Sequence, residues 1–311
     1  MNSVIVTGAT SMIAAGLIEE CLQRQLKIFA VVHPQSKNIK RIPHSDLIKI
    51  IKCEHQNYLN LQELINQPCD IFYHFAWLGT GKYRNDNPYI QVDNIRSSLD
   101  SVIVAAKLGC KKYIGAGSQA EYGKVDLLPI GPDTLTEPKT PYGISKYAAG
   151  KLVLYEALKL GIDCIWTRIF SVYGKYDKPT SMIMTTIEKL LSGEIPEFTK
   201  AEHRWDYLYY TDAGKALFLL GEYGKGGDIY CIGSGVSKPL KDFINIIKES
   251  IDPKKQISLG KMPYPPEGPI SLHADISKLV EDTGFNPEVS FESGIKLTLD
   301  WYKMKRNDET S

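Results

Sequence analysis

From Val4 to Arg168 short apolar runs alternate with helix-patterned stretches, and that alternation leaves few folds open. Val4-Ile5-Val6, Ile28-Phe29-Ala30-Val31-Val32, Leu47-Ile48-Lys49-Ile50-Ile51, Ile71-Phe72-Tyr73-His74-Phe75, Lys112-Tyr113-Ile114-Gly115 and Cys164-Ile165-Trp166-Thr167-Arg168 read as strands. Helices are expected near 12–24, 60–66, 90–109 and 142–160. Strands that are apolar almost throughout belong to a sheet covered on both faces, and strand–helix alternation makes that sheet parallel. The expected class is α/β: a doubly wound parallel (Rossmann) sheet with a smaller C-terminal α/β lobe. Ligands of such sheets bind beyond the carboxyl ends of the strands.

After Tyr173-Gly174 the pattern loosens into helices near 181–192, 211–222 and 239–250 and a short strand at Tyr230-Cys231-Ile232. The Pro-rich Met262 to Pro269 reads as an extended connector, and Lys303 to Ser311 as a frayed polar tail. Lys and Arg number 37 against 36 Asp and Glu, a balance that lacks the basic footprint of a nucleic-acid or membrane-surface protein. No apolar run has bilayer-spanning length. The start, Met1-Asn2-Ser3-Val4, enters a strand directly, without the look of a signal peptide. Cys21, Cys53, Cys69, Cys110, Cys164 and Cys231 form no C-x-x-C and show no metal-ligand spacing. They read as reduced, packed residues of a cytoplasmic protein.

The first strand–turn–helix unit, Val4 to Leu17, has the context of a dinucleotide fingerprint. A full three-glycine version places Gly at 8, 11 and 14; here only Gly8 is present, with Ser11 and Ala14 in the other places. Ala14 still permits close helix packing, whereas a Cβ at Ser11 limits the approach of backbone to pyrophosphate. Gly8, Thr10, Ser11, Met12 and Ile13 are the expected phosphate-cradling residues. The second strand ends without the acid that bonds the ribose 2′-OH of NAD, and continues His33-Pro34-Gln35-Ser36-Lys37. His33, Ser36 and Lys37 suit the 2′-phosphate of NADP; the other reading is a solvated basic loop. Glu54, closing the third strand, is a candidate for the adenine amino group, or an ordinary exposed strand-end acid.

Tyr142 and Lys146, in Pro141-Tyr142-Gly143-Ile144-Ser145-Lys146, lie 24 and 28 residues after Ser118. Spaced by four on a helix, they share a face. An ammonium close to a phenol favours the phenolate, bringing a group of pKa about 10 towards use as a general acid/base. Ser118, ending a buried strand, is placed to hold a substrate oxygen. Alone, a Tyr-x-x-x-Lys is also compatible with a surface pair.

Gly8, Asn94 in Val92-Asp93-Asn94-Ile95, Ser118, Tyr142/Lys146 and Arg168-Ile169-Phe170-Ser171-Val172-Tyr173-Gly174 occur in order. His203 to Asp212, Tyr230 to Gly235 and Ala274 to Leu279 continue the series. With it the chain resembles the extended short-chain dehydrogenase/reductases, the nucleotide-sugar epimerase/dehydratase group, over nearly its whole length. The resemblance implies a dinucleotide-binding domain at 1–172, with 211–226 packing back on it, a substrate-binding lobe at 173–304 and a tail at 305–311. It implies Tyr142 as acid/base, Lys146 on the nicotinamide ribose, and Ser118 orienting the sugar oxygen. Phe75, Ala76, Trp77, Asn94 and Ile169 then belong to the cofactor site, and Thr80, Gln119, Glu121, Ser171 and Arg204 to the substrate site, Arg204 on a phosphate.

Three departures bear on function. The group's 4,6-dehydratases carry Asp-Glu directly after the catalytic hydroxyl; here Gln119 and Ala120 stand there, so water elimination has no obvious agent. No Arg appears around Pro265-Pro266 to meet a diphosphate. Trp77 replaces a usual small residue and is either a sugar-stacking platform or a packed core aromatic. The leading expectation is an NADP(H)-favouring reductase (NAD being the other choice) of a nucleotide-linked 4-keto-6-deoxyhexose. An NAD-retaining 4-epimerase and a non-catalytic dinucleotide-binding module are the alternatives. The group's habit of pairing the Asn94 and Tyr142 helices between copies implies a homodimer.

Overall fold

A computed structural model describes residues 1–81, 87–266 and 268–310, with side chains through 306. Among the described residues, seven parallel strands form the main sheet: β1 (Ser3–Thr7), β2 (Lys27–Val32), β3 (Ile48–Lys52), β4 (Ile71–His74), β5 (Lys112–Ala116), β6 (Asp163–Ile169) and β9 (Ile229–Ile232). Their order is β3-β2-β1-β4-β5-β6-β9, so the chain reverses direction across the sheet between β1 and β4. In register, Val6 faces Ala30 on one side and Tyr73 on the other. The strands are as apolar as their sequence runs implied because helices cover both faces: the middle residues of β1, β2 and β4 are almost wholly buried.

One face carries α1 (Met12–Gln23) and α6 (Tyr210–Tyr223); the other carries α2 (Leu61–Ile65), α3 (Pro88–Lys107) and α4 (Pro141–Leu160). Local sequence explains where these helices start and stop. Ser11 N-caps α1, its hydroxyl accepting from the Ala14 amide at 3.2 Å. Thr140 does the same for α4 before Pro141 at the first position, and Gly161, at φ 67°, closes that helix. Gly16 and Gly214 let α1 and α6 touch backbone to backbone: a Cβ at Gly16 would lie 2.1 Å from the Tyr210 carbonyl. That contact seats 210–223 on the main sheet's α1 side.

A second sheet of β7 (Ser171–Tyr173), β8 (Arg204–Tyr209) and β10 (Ser237–Pro239) has the order β10-β8-β7. Around it pack α5 (Met182–Ser192), α7 (Leu240–Ile251) and α9 (Phe291–Thr310), whose apolar faces meet at Tyr173, Ile187, Phe243, Phe291 and Ile295. The short α8 (Ser277–Thr283) returns to β9 and α6.

Two expectations about organisation change. Ile229–Ile232, assigned with the smaller lobe, pairs with β6 and forms one edge of the main sheet, its last three residues buried. The tail expected to fray from Lys303 or 305 continues α9 to Thr310. Residues 262–266 and 268–269 have neither helix nor strand, as a connector should.

Candidate active site

The carboxyl ends of β1, β2, β4, β5 and β6 open into one cavity of about 700 Å³, which the second sheet closes from the opposite side. At its floor the chain turns from β1 into α1. Gly8 holds φ +64°, and a Cβ there would meet the Ala76 amide nitrogen at 2.7 Å, so both conformation and space require glycine. Thr10, Ser11, Met12 and Ile13 follow along the cavity wall. Ser11, the residue that departs from a three-glycine fingerprint, has φ −78° and ψ 159°, an ordinary cap conformation that needs no glycine. This cradle at a helix N-terminus suits a pyrophosphate, and the residues present fit a dinucleotide.

The far end of the cavity differs from expectation in two places. His33 and Ser36 line it, but Lys37 is exposed and does not. The cation that does is Arg41, brought back by the single turn at Ile39–Arg41, with Nη1 donating to the Thr10 carbonyl at 3.2 Å. Glu54 also lies off the cavity, its Oε2 accepting from Gln56 Nε2 at 2.9 Å. Its neighbour His55 lines the cavity instead, stacked on Tyr58 with ring centroids 5.3 Å apart. Both His55 ring nitrogens are buried without a hydrogen-bond partner. Burial and the nearby His33 push its pKa down to about 4, so the ring presents one donor and one acceptor at neutral pH. Polar atoms this costly to bury unpaired point to a polar ligand.

Phe75, Ala76, Trp77 and Thr80 reach the cavity from the loop after β4, which α3 staples in place. Asn94 is behind that loop, not in it: its Oδ1 accepts from the Leu78 amide at 2.7 Å while Nδ2 donates to Leu78 and Ile90 carbonyls. Asn94 therefore positions the loop. His74 is buried beneath, Nδ1 2.9 Å from the Thr7 hydroxyl and Nε2 3.2 Å from that of Ser98.

Ser118, Tyr142 and Lys146 line the same cavity. Ser118 caps the turn after β5, its hydroxyl accepting from the Ala120 amide at 3.2 Å. The first turn of α4 packs directly on that segment, a Cβ at Gly143 coming within 2.4 Å of the Ala120 carbonyl. Lys146 is 4% exposed; Nζ donates to the Ala116 carbonyl at 2.6 Å and sits 3.6 Å from the Trp77 ring centroid and 5.9 Å from that of Tyr142. A hydroxyl, a phenol and a buried ammonium around one opening can bind a carbonyl or alcohol oxygen and exchange a proton with it.

Gln119, Ile169 and Ser171 line the cavity as expected, but Glu121 and Arg204 do not. Glu121 is fully buried: Oε1 accepts from the Ser118 amide and the Trp166 indole, and Oε2 from Arg168 Nε at 3.0 Å. Burial pushes its carboxyl up, against the pull of Arg168 and those N–H donors. It holds the turn bearing Ser118 and has no free edge for substrate. Arg204 donates to Ser237 Oγ at 2.9 Å on the outer side of β8. Trp205 and Tyr207, two apart on that strand, face the cavity, and the period of two puts Arg204 on the other side. Trp205 Nε1 donates to Ser171 Oγ at 2.8 Å, tying β8 to β7 within the second sheet at the cavity wall. Beside them Asp177 accepts from the Ser181 hydroxyl at 2.8 Å, and burial pushes its carboxyl up. Neither Arg41, His55, Trp205 nor Asp177 had a spacing signal of its own; each follows from where a turn or a strand face places it.

The chain that builds this cavity is similar over most of its length to proteins of one family. The profile of the NAD dependent epimerase/dehydratase family matches residues 4–233. The chain belongs to this family. It is 26% identical to a putative UDP-glucose 4-epimerase of Methanocaldococcus jannaschii, across 99% of this chain and 100% of that one. It is 27% identical to the dTDP-4-dehydro-6-deoxyglucose reductase of Escherichia coli, across 94% and 95%. The UDP-N-acetylglucosamine 4-epimerase structure from Methanobrevibacter ruminantium superposes with a TM-score of 0.88 at 22% identity, over 98% of this chain and 99% of that one. Family members of this kind are NAD-dependent enzymes, and the doubly wound fold and enzyme class expected from sequence agree with these matches.

Proposed function

We propose that this family member is an NADPH-dependent reductase of a nucleotide-linked 4-keto-6-deoxyhexose. The observation that carries the reading is Gln119-Ala120 directly behind Ser118, within a cavity that also holds Tyr142 and Lys146. Those two side chains cannot exchange the protons that water elimination requires, which leaves carbonyl–alcohol chemistry. The full-length similarity to a reductase of a 4-keto-6-deoxy nucleotide sugar supports the same class. Bound NADPH supplies the hydride for the carbonyl carbon. Ser118 orients the carbonyl oxygen, and Tyr142 gives its phenolic proton to that oxygen as it becomes an alkoxide. Lys146 makes the phenol a better donor. Trp205, Tyr207 and Ser171 form the sugar's side of the opening.

NADPH is favoured over NADH because the end of β2 lacks an acid and Arg41 lies in the cavity with Ser36. The six cysteines are free and buried, which suits work in the reducing cytoplasm. Apolar residues exposed along α3 and α4 suit a homodimer.

A second reading, an NAD-retaining 4-epimerase, is favoured by the full-length similarity to the putative UDP-glucose 4-epimerase. The same three residues would serve it. Incubation with NADPH and a nucleotide-linked 4-keto-6-deoxyhexose tests the choice: stoichiometric NADPH oxidation supports the reductase, and cofactor-free interconversion of 4-epimers supports the epimerase.

A further inference from the structure

Trp77 is more closely engaged with the reactive pair than either stacking on a sugar or filling the core requires. Its indole is only 9% exposed, and Nε1 donates to Gln91 Oε1 at 2.8 Å. Gln91, fully buried on α3, donates in turn through Nε2 to the Gly79 carbonyl at 3.1 Å. These two bonds fix the plane of the ring. The Lys146 ammonium sits over its face, 3.6 Å from the centroid, and the Tyr142 ring meets it edge-on with centroids 6.1 Å apart.

We propose that Trp77 is a positioning residue for the acid/base pair: its indole face, held in plane by Gln91, seats the Lys146 ammonium at a set distance from Tyr142. The proposal rests on Tyr142 being the acid/base. A lysine side chain turns about four carbon–carbon bonds, and the indole face adds a constraint on the ammonium's direction beyond its bond to the Ala116 carbonyl. The electron-rich face of an indole attracts an ammonium more strongly as both are desolvated, and Lys146 and Trp77 are 4% and 9% exposed. With the cation held, its field at the phenol is constant; without the ring, the ammonium can swing away and the phenol becomes a weaker acid.

Among the described residues, the other charged and titratable groups facing the pair are engaged elsewhere. His74 on β4 is kept neutral by burial and by Lys146 itself, its pKa held well below the ordinary histidine value. Glu121, after β5, is bonded to Arg168. Asp177 and Lys178 line the cavity from the substrate lobe, where Asp177 accepts from Ser181 and Lys178 donates to the Thr80 carbonyl. From α3 the neutral amides of Gln91 and Asn94 face the loop.

The test is a pH titration of phenolate absorbance in the wild type, Trp77→Phe, Trp77→Leu and Gln91→Leu, each paired with a copy carrying Tyr142→Phe. Subtracting the paired trace isolates Tyr142 without any turnover. The expected result is a Tyr142 midpoint raised by about half to one unit in Trp77→Leu, with a smaller rise in Trp77→Phe, which keeps a weaker π face. Gln91→Leu should fall between wild type and Trp77→Leu, and the pH profile of turnover should move in parallel. An unmoved midpoint in Trp77→Leu overturns the proposal, as does a rise in KM alone, which marks a sugar platform. Should Trp77→Leu not fold, Trp77→Phe and Gln91→Leu must still move the midpoint, and the proposal falls if neither does. If wild-type Tyr142 itself shows no titration distinct from its Phe copy, the acid/base reading falls with it, a result separable from the others.

Discussion

Arg41 lays its guanidinium over the ring of Tyr176, 4.8 Å from carbon to centroid, while donating to the carbonyl of Thr10. One cation thus links the turn after β1, the loop after β2 and the segment after β7. Charge-assisted hydrogen bonds to a 2′-phosphate are worth about 1.5–3 kcal/mol when well formed, and partial exposure reduces them. We expect a preference for NADPH of about tenfold, equivalent to about 1.4 kcal/mol. Arg41→Ala should erase it, Ser36→Ala should reduce it, and Lys37→Ala should leave it unchanged. Steady-state kcat/KM for both cofactors checks this; a ratio that responds to Lys37 and ignores Arg41 contradicts it.

Tyr142→Phe removes the titrating proton and leaves the ring against Trp77. Loss of a general acid/base costs about 10² to 10⁴ in rate. Lys146→Met should fall in the same range, with weaker cofactor binding in addition. Turnover at saturating substrate is the measurement, and a wild-type rate in Tyr142→Phe contradicts the assignment.

His74 makes stability depend on pH. It is buried between Thr7 and Ser98, and burial, Lys146 and His55 hold its pKa well below the ordinary value near 6.5. Below about pH 6.5 the unfolded chain takes up a proton that the folded chain refuses. Stability is therefore full above that pH and falls as pH drops towards the folded-state value, by up to about 1.4 kcal/mol per unit. Urea unfolding at pH 7 and pH 5.5 should show a loss that is about 1 kcal/mol smaller in His74→Gln. Equal losses in the two proteins contradict this account.

Tyr89 and Val92 on α3 and Ile144, Leu152, Tyr155 and Leu158 on α4 are exposed, Leu158 by 81%. The opposite side of α4 buries Lys146, Gly150, Val153 and Ala157, so the exposed residues form a separate stripe. A homodimer through this face should appear in light scattering at micromolar concentration, and Leu158→Arg should dissociate it. A monomeric wild type contradicts the pairing.

The strands and helices of the main sheet were legible because local pattern and burial agree there: apolar runs are buried strands, and caps such as Ser11 and Thr140 mark real helix starts. That Ser118, Tyr142 and Lys146 share one cavity was legible for the same reason, since a helix period and a strand end fix those positions. Side chains one step from the site were not. Glu54 and His55 are adjacent, and only backbone direction decides which faces the cavity. Glu121 is a polar residue beside a reactive serine, yet its partner Arg168 lies on another strand and turns it inward. Arg204 and Trp205 exchange roles with the phase of β8, which an isolated strand sequence does not reveal. Arg41 depends on a turn between it and the strand it serves.

The decisive measurement gives the purified protein a nucleotide-linked 4-keto-6-deoxyhexose with NADPH and follows cofactor oxidation together with the product. One NADPH should be consumed per sugar reduced at C4, with no reaction when cofactor is omitted. Protein that carries stoichiometric NAD and interconverts two 4-epimers without added cofactor contradicts it.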